Sequence, residues 1–190
     1  LTEGPFSDIW IQPAAGDAGG CVGAALMLWH NHFGKKRVIL KKMTNKQVVY
    51  LGPAYSDTEV NTLLEKQNCT FHKLDEDTRA RTIAENITKG KIVGYFCGRM
   101  EFGPRALGAR SILGDPRSYE TQSKMNLKIK YRESFRPFAP SVICEKASEF
   151  FELKTQSPFM LLVANVLEKN CIKQKETIIN KTLLTFILFL

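Results

Sequence analysis

The chain has 190 residues, 44% hydrophobic and 24% charged, and its 27 lysines and arginines against 19 aspartates and glutamates give a net charge of +8. These proportions exclude a disordered, collagen-like or low-complexity chain, and the length suits one domain or one domain with part of another. Five cysteines (Cys21, Cys69, Cys97, Cys144, Cys171) are scattered, odd in number and never in a CxxC pair, which argues against a zinc site or a disulfide framework. A reducing, cytoplasmic setting is the expectation. No charged-then-apolar leader opens the chain at Leu1, and the start reads as a cut.

In chain order, DIWIQ (8–12) alternates as a short strand, and Pro13 to Gly20 reads as a glycine-punctuated turn. An apolar helix is expected over Ala24 to His32, followed by a Lys-rich crossing between Gly34 and Val48 that marks a domain boundary. VVYLGP (48–53) reads as a strand, and Ser56 with Glu59 forms a capping-box signature ahead of the next helix. Cys69 to Leu74 reads as a strand, and Asp75 caps a helix running to about 88, closed by Gly90. KIVGYFC (91–97) is an apolar strand that delivers the chain into an arginine-rich loop. Beyond it, Tyr119 to Leu127 reads as helix, Phe138 to Ile143 as extended, Glu145 to Phe151 as helix and Phe159 to Val166 as strand. The fold class is therefore α/β. The closing run TLLTFILFL has nine residues, too few for a bilayer, so no membrane span is expected.

Charge concentrates in the middle. Between Arg99 and Arg136 nine basic residues face four acidic ones, as for an anionic ligand. GRMEFGPRALGARSILGDPR (98–117) mixes arginines with glycines. Arginine presents a planar fork that matches phosphate, and glycine lets main-chain N–H groups approach an anion. The same arginines (Arg99, Arg105, Arg110) would also serve as solvated charges paired with Glu101 and Asp115. In KIKYRESFRPFAPSV (128–142), Lys130 and Arg132 alternate as on one face of a strand, and Pro137 and Pro140 stiffen the chain after Arg136. GDAGG (16–20) could bring Gly16, Gly19 and Gly20 to a phosphate and Asp17 to a metal or a ribose. His30 and His32, two apart on a helix, do not share a face.

With these segments and SPFMLLVANV (157–166) in view, the sequence resembles the O-carbamoyltransferases, the nodulation and antibiotic-tailoring enzymes, over about residues 8–166. The resemblance implies three parts: 1–47, the last strand-turn-helix of an actin-like (ASKHA-type) domain with a linker; 48–166, a YrdC-like mixed twisted sheet with helices; and 167–190, a tail foreign to the family. It implies an ATP-dependent enzyme that makes carbamoyl adenylate from carbamoyl phosphate and ATP, then passes the carbamoyl group to a hydroxyl acceptor. Lys130, Arg132 and Arg105 would be catalytic, and Arg99, Glu101, Arg110, Ser111 and Arg136 would bind ATP and carbamoyl phosphate, with Ser111 bonding phosphate and Glu101 orienting an arginine. Asp17 would ligate a divalent metal, iron in the family, with Mg accompanying the nucleotide.

Two family features are missing: the HxxxH motif that precedes the Asp17 turn and the S-x-N partner of the K-x-R motif. The expectation is that this chain alone does not complete the reaction. A homodimer is allowed. Two rival readings stay open: a nucleic-acid-binding module, disfavoured because Phe102, Phe135 and Phe138 sit among prolines and small residues, and an inactive remnant of the enzyme.

Overall fold

A computed structural model describes residues 4–7, 9–38, 49–171 and 188–189. Helix α1 spans Asp17–Met27 and continues as a π-helical turn, Leu28–His32. It starts inside GDAGG rather than after it: Gly16 is the extended N-cap and Asp17 already lies in the first turn, where a carboxylate favours a helix start. Residues 9–12 pair with no strand among the described residues, so the expected strand-turn-helix opening is only turn and helix.

Where the sequence carries explicit caps, the elements form as expected. Helix α2 (Asp57–Lys66) begins with a complete capping box, Ser56 accepting from the Glu59 amide and Glu59 accepting from the Ser56 amide. Helix α3 (Glu76–Thr88) is capped by Asp75, whose Oδ1 accepts from the Thr78 amide at 2.9 Å, and it ends before Gly90. Residues 69–74 between them form no strand, because neither edge finds a neighbour among the described residues.

Strands β1 (Val93–Phe96) and β2 (Arg110–Leu113) form a two-stranded antiparallel sheet with Phe96 opposite Arg110. The arginine-rich segment is therefore the connection of one long hairpin. Helix α4 (Thr121–Met125) runs into a second π-helical turn, Asn126–Lys130. Short β3 (Ser141–Val142) pairs in parallel with β4 (Leu188–Phe189), and a 3₁₀ turn at Cys144–Lys146 leads into α5 (Ala147–Phe150). The strand expected over 159–166 is reduced to isolated bridge positions at Val163 and Val166, the latter paired with Phe151. The architecture is a mixture of helices and small sheets, consistent with α/β.

The hairpin connection rests on a clasp. Residues 49–53 run beside 100–102: Phe102 N donates to Val49 O at 2.7 Å, Met100 N to Pro53 O at 2.9 Å and Gly52 N to Met100 O at 3.0 Å. Of the expected strand at 48–53, residue 48 lies outside the described ones, Val49 is helical, and 50–53 form no strand although Gly52 and Pro53 make sheet-like bonds to Met100. Val49 (2% exposed) and Leu107 (5%) form the core beneath it, with Tyr50, Phe159 and Met160 against them. No helix among the described residues is long and apolar enough to cross a membrane.

Candidate anion-binding site

The hairpin loop is organised around one carboxylate. Glu101 Oε1 accepts from three backbone amides, those of Leu107 and Ala109 at 2.7 Å and of Arg110 at 3.2 Å. Partial burial pushes the Glu101 carboxyl up, and the amide bonds more than reverse this, leaving it below the ordinary range. The expected partner for Glu101 was an arginine side chain; its actual partners are the main-chain N–H groups that such a loop would otherwise turn toward a ligand. The Tyr50 hydroxyl donates to the Leu107 carbonyl, and Ser111 Oγ accepts from the Gly108 amide at 3.2 Å.

The arginines of this loop divide into two kinds. Arg110 is turned inward: Nη1 donates to Cys97 O (3.1 Å) and Ala109 O (3.0 Å), Nη2 donates to Gly98 O (3.0 Å), and the guanidinium lies 3.3 Å from the Phe96 ring centre. Its Nε is buried without a partner among the described residues. Arg110 therefore frames the loop, with little left to offer a ligand. Arg99 is exposed and donates through Nη1 to Gly52 O at 2.7 Å, while Arg105 is half-buried at the bend. Arg117 is spent on Asp115 at 2.8 to 3.2 Å, and these bonds hold the Asp115 carboxyl at about 2.

The second basic segment departs from the strand expected of it. Lys130 ends the π-helical turn and Tyr131 adopts a left-handed conformation (φ 49°), so Lys130 and Arg132 flank a turn instead of sharing a strand face. The turn is built on Asn126, which the sequence reading passed over and which is completely buried. Its Nδ2 donates to Ser134 O (3.1 Å) and Arg136 O (2.8 Å), and its Oδ1 accepts from Arg132 Nε at 2.6 Å. Gln122, one helical turn earlier, donates to the same Arg136 carbonyl at 2.9 Å. The spacing of Gln122 and Asn126 was the available signal, since residues four apart share a helix face. Arg132 is half-buried, its guanidinium 4.8 Å from the Phe138 ring centre, and among the described residues it is hydrogen-bonded through Nε alone on its side chain. Arg136 pairs with Glu133 at 2.9 Å, and Lys130 is exposed.

The GDAGG turn meets the arginine loop through Ala14, which is 4% exposed. A Cβ on Gly103, at φ +123°, would lie 3.1 Å from the Ala14 methyl, so that residue must be glycine for the two segments to close. Gly19 is constrained likewise, since its Cβ would overlap the Ala14 carbonyl oxygen; Gly20 has open space. These are steric reasons for glycine, independent of phosphate. Among the described residues no three His, Cys, Asp or Glu side chains gather, so Asp17 offers a single carboxylate and the donor set here does not fit a metal by itself.

Residues 84–182 match the family model for the carbamoyltransferase C-terminus and residues 1–26 that for the carbamoyltransferase N-terminus. The chain belongs to the O-carbamoyltransferase family. The C-terminal match takes in both basic segments and runs past 166, and the N-terminal match ends within α1.

An uncharacterised protein of Synechocystis sp. is 53% identical over 172 residues, covering 89% of this chain and 28% of that protein. The nodulation protein NolO of Bradyrhizobium diazoefficiens is 43% identical over 174 residues (88% of this chain, 30% of that protein), and nodulation protein U of the same organism is 35% identical over 158 (83% and 25%). The chain thus spans less than a third of the length of these relatives.

Proposed function

We propose that this chain supplies the carbamoyl phosphate and ATP site of an O-carbamoyltransferase that forms carbamoyl adenylate and passes the carbamoyl group to a hydroxyl acceptor. The observation that carries the reading is the state of Arg132: anchored through Nε, backed by Phe138, with its Nη edge unbonded among the described residues. An arginine so fixed presents a ready two-pronged donor to a phosphate or carbamate. The family membership gives that donor its chemistry.

In this reading Lys130, Arg132 and Arg105 contact the reacting groups, with Arg99 and Arg136 around them and Arg110, Ser111 and Glu101 holding the loop. In the first step water takes the phosphoryl group of carbamoyl phosphate, freeing carbamate and phosphate, and a carbamate oxygen then attacks the α-phosphorus of ATP to give carbamoyl adenylate with release of pyrophosphate. Several anions crowd together, and the step is served by fixed positive charge more than by a titrating base. A YrdC-like fold for 48–166 and an actin-like origin for 1–47 belong to the same proposal. A metal at Asp17 would need further ligands, and no step is assigned to it.

Calorimetric titration of the chain with carbamoyl phosphate and with ATP tests this. Saturable binding is expected, weakened about 10- to 100-fold in R132A, the loss typical of a hydrogen bond to a charged group. Absence of binding to either ligand would sink the reading. Tight binding of RNA or DNA that falls steeply with salt would replace it with the nucleic-acid alternative.

A further inference from the structure

We infer that Asn126 is the positioning residue for Arg132: a buried amide that fixes the register of the Lys130–Arg132 turn and aims the guanidinium with its Nη edge outward. Every hydrogen-bonding group of the Asn126 side chain is engaged, and each partner lies in the turn. Its backbone carbonyl accepts from the amides of Tyr131 and Arg132, its side-chain carbonyl takes Arg132 Nε at 2.6 Å, and its NH₂ reaches the carbonyls of Ser134 and Arg136. One residue thereby holds the main chain on both sides of Arg132 and the side chain of Arg132 itself.

Chemistry explains why asparagine fits. The two carbonyls need a donor and the guanidinium needs an acceptor, and a primary amide supplies both from one planar group. Aspartate keeps the acceptor but turns an oxygen toward the carbonyls, while leucine or alanine supplies neither. A long basic side chain loses much rotamer freedom when it grips a ligand. Binding at Nε removes part of that cost beforehand, and the Phe138 ring restricts the guanidinium plane further. Lys130 has no such support among the described residues, so the fixed member of the pair is the arginine.

The functional arm of this inference rests on the anion-binding role proposed for Arg132; the positional arm does not. In ¹⁵N-labelled full chain, the Arg132 Nε–H signal, identified by its loss in R132K, is expected to exchange with solvent on the order of tenfold more slowly than those of exposed arginines. N126D should keep that protection, since a carboxylate still accepts from Nε, and N126A should abolish it. Carbamoyl phosphate affinity should fall about tenfold in N126A. S56A, which weakens a remote helix cap, should lose stability and leave the affinity unchanged.

Retention of the protected signal in N126A would overturn the inference, as would wild-type affinity in N126A alongside weakened binding in R132A. If N126A does not fold, N126D decides: a protected Arg132 signal supports the inference, and an unprotected one overturns it. If the wild-type chain binds no carbamoyl phosphate, the carbamoyltransferase reading fails, and the exchange measurement still settles whether Asn126 positions Arg132.

Discussion

Glu101 Oε1 lies 2.7 Å from the amide nitrogen of Ala109, eight residues further along the chain, and takes the Leu107 and Arg110 amides as well. One carboxylate therefore closes the loop that carries Arg105. Replacing it with alanine should release those amides, speed hydrogen exchange at Leu107 and Ala109, and cost about 1–3 kcal/mol in denaturant unfolding, with E101Q intermediate. Unchanged exchange in E101A would refute this account of the loop.

The same carboxylate makes stability depend on pH. Folding lowers the Glu101 carboxyl, so its contribution is complete above its unfolded value of about 4.3 and is lost as pH falls through the lower folded value. Asp115, held at about 2 by Arg117, acts in the same direction at lower pH. Thermal melts of the wild-type chain should fall in midpoint as pH drops from neutral toward 3, and those of E101Q should fall less over the upper part of that range. Parallel curves would exclude Glu101 as a source of the acid sensitivity.

Arg110 should behave as a structural arginine. Its guanidinium bonds three backbone carbonyls and stacks on Phe96, and lysine reproduces neither the fork nor the plane. R110K is expected to destabilise the β1–β2 hairpin by about 1–3 kcal/mol. A double-mutant cycle with F96A should show coupling of about 0.5–2 kcal/mol, and strict additivity would exclude the stack.

Gly103 is the contact on which the turn before α1 meets the arginine loop. G103A combines an unfavourable backbone angle with crowding against Ala14, and a loss of about 1–3 kcal/mol is expected. Protease should then cut between α1 and the loop sooner than in the wild type; equal cleavage would argue against the contact.

The parts most legible in the sequence were those specified locally. Ser56 with Glu59, and Asp75 with Thr78, carry their helix starts within four residues, and both caps form. Residues 69–74 and 159–166 look strand-like by composition, yet a strand exists only where a neighbour supplies bonds, and that is not a property of the segment. Period two at Lys130 and Arg132 was ambiguous for a similar reason, since a left-handed Tyr131 also separates them. The basic segments of the site were found from charge and glycine content. What held them was not: Glu101 was seen as an arginine's partner and Asn126 was overlooked, because each acts on main-chain groups that a sequence does not display.

The π-helical turn at Asn126–Lys130 means that one more residue is wound there than an α-helix would hold. Deleting a single residue between Asn126 and Lys130 would turn the bond from the Tyr131 amide to the Asn126 carbonyl into an ordinary i→i+4 bond between the same two groups, leaving Arg132 beside Asn126. An added residue has no such slack to take up and would carry Arg132 about 100° around the helix axis. In this stretch residue count governs the geometry as much as residue identity, and one-residue insertions should be far more damaging than one-residue deletions or substitutions at exposed Leu127, Lys128 or Ile129.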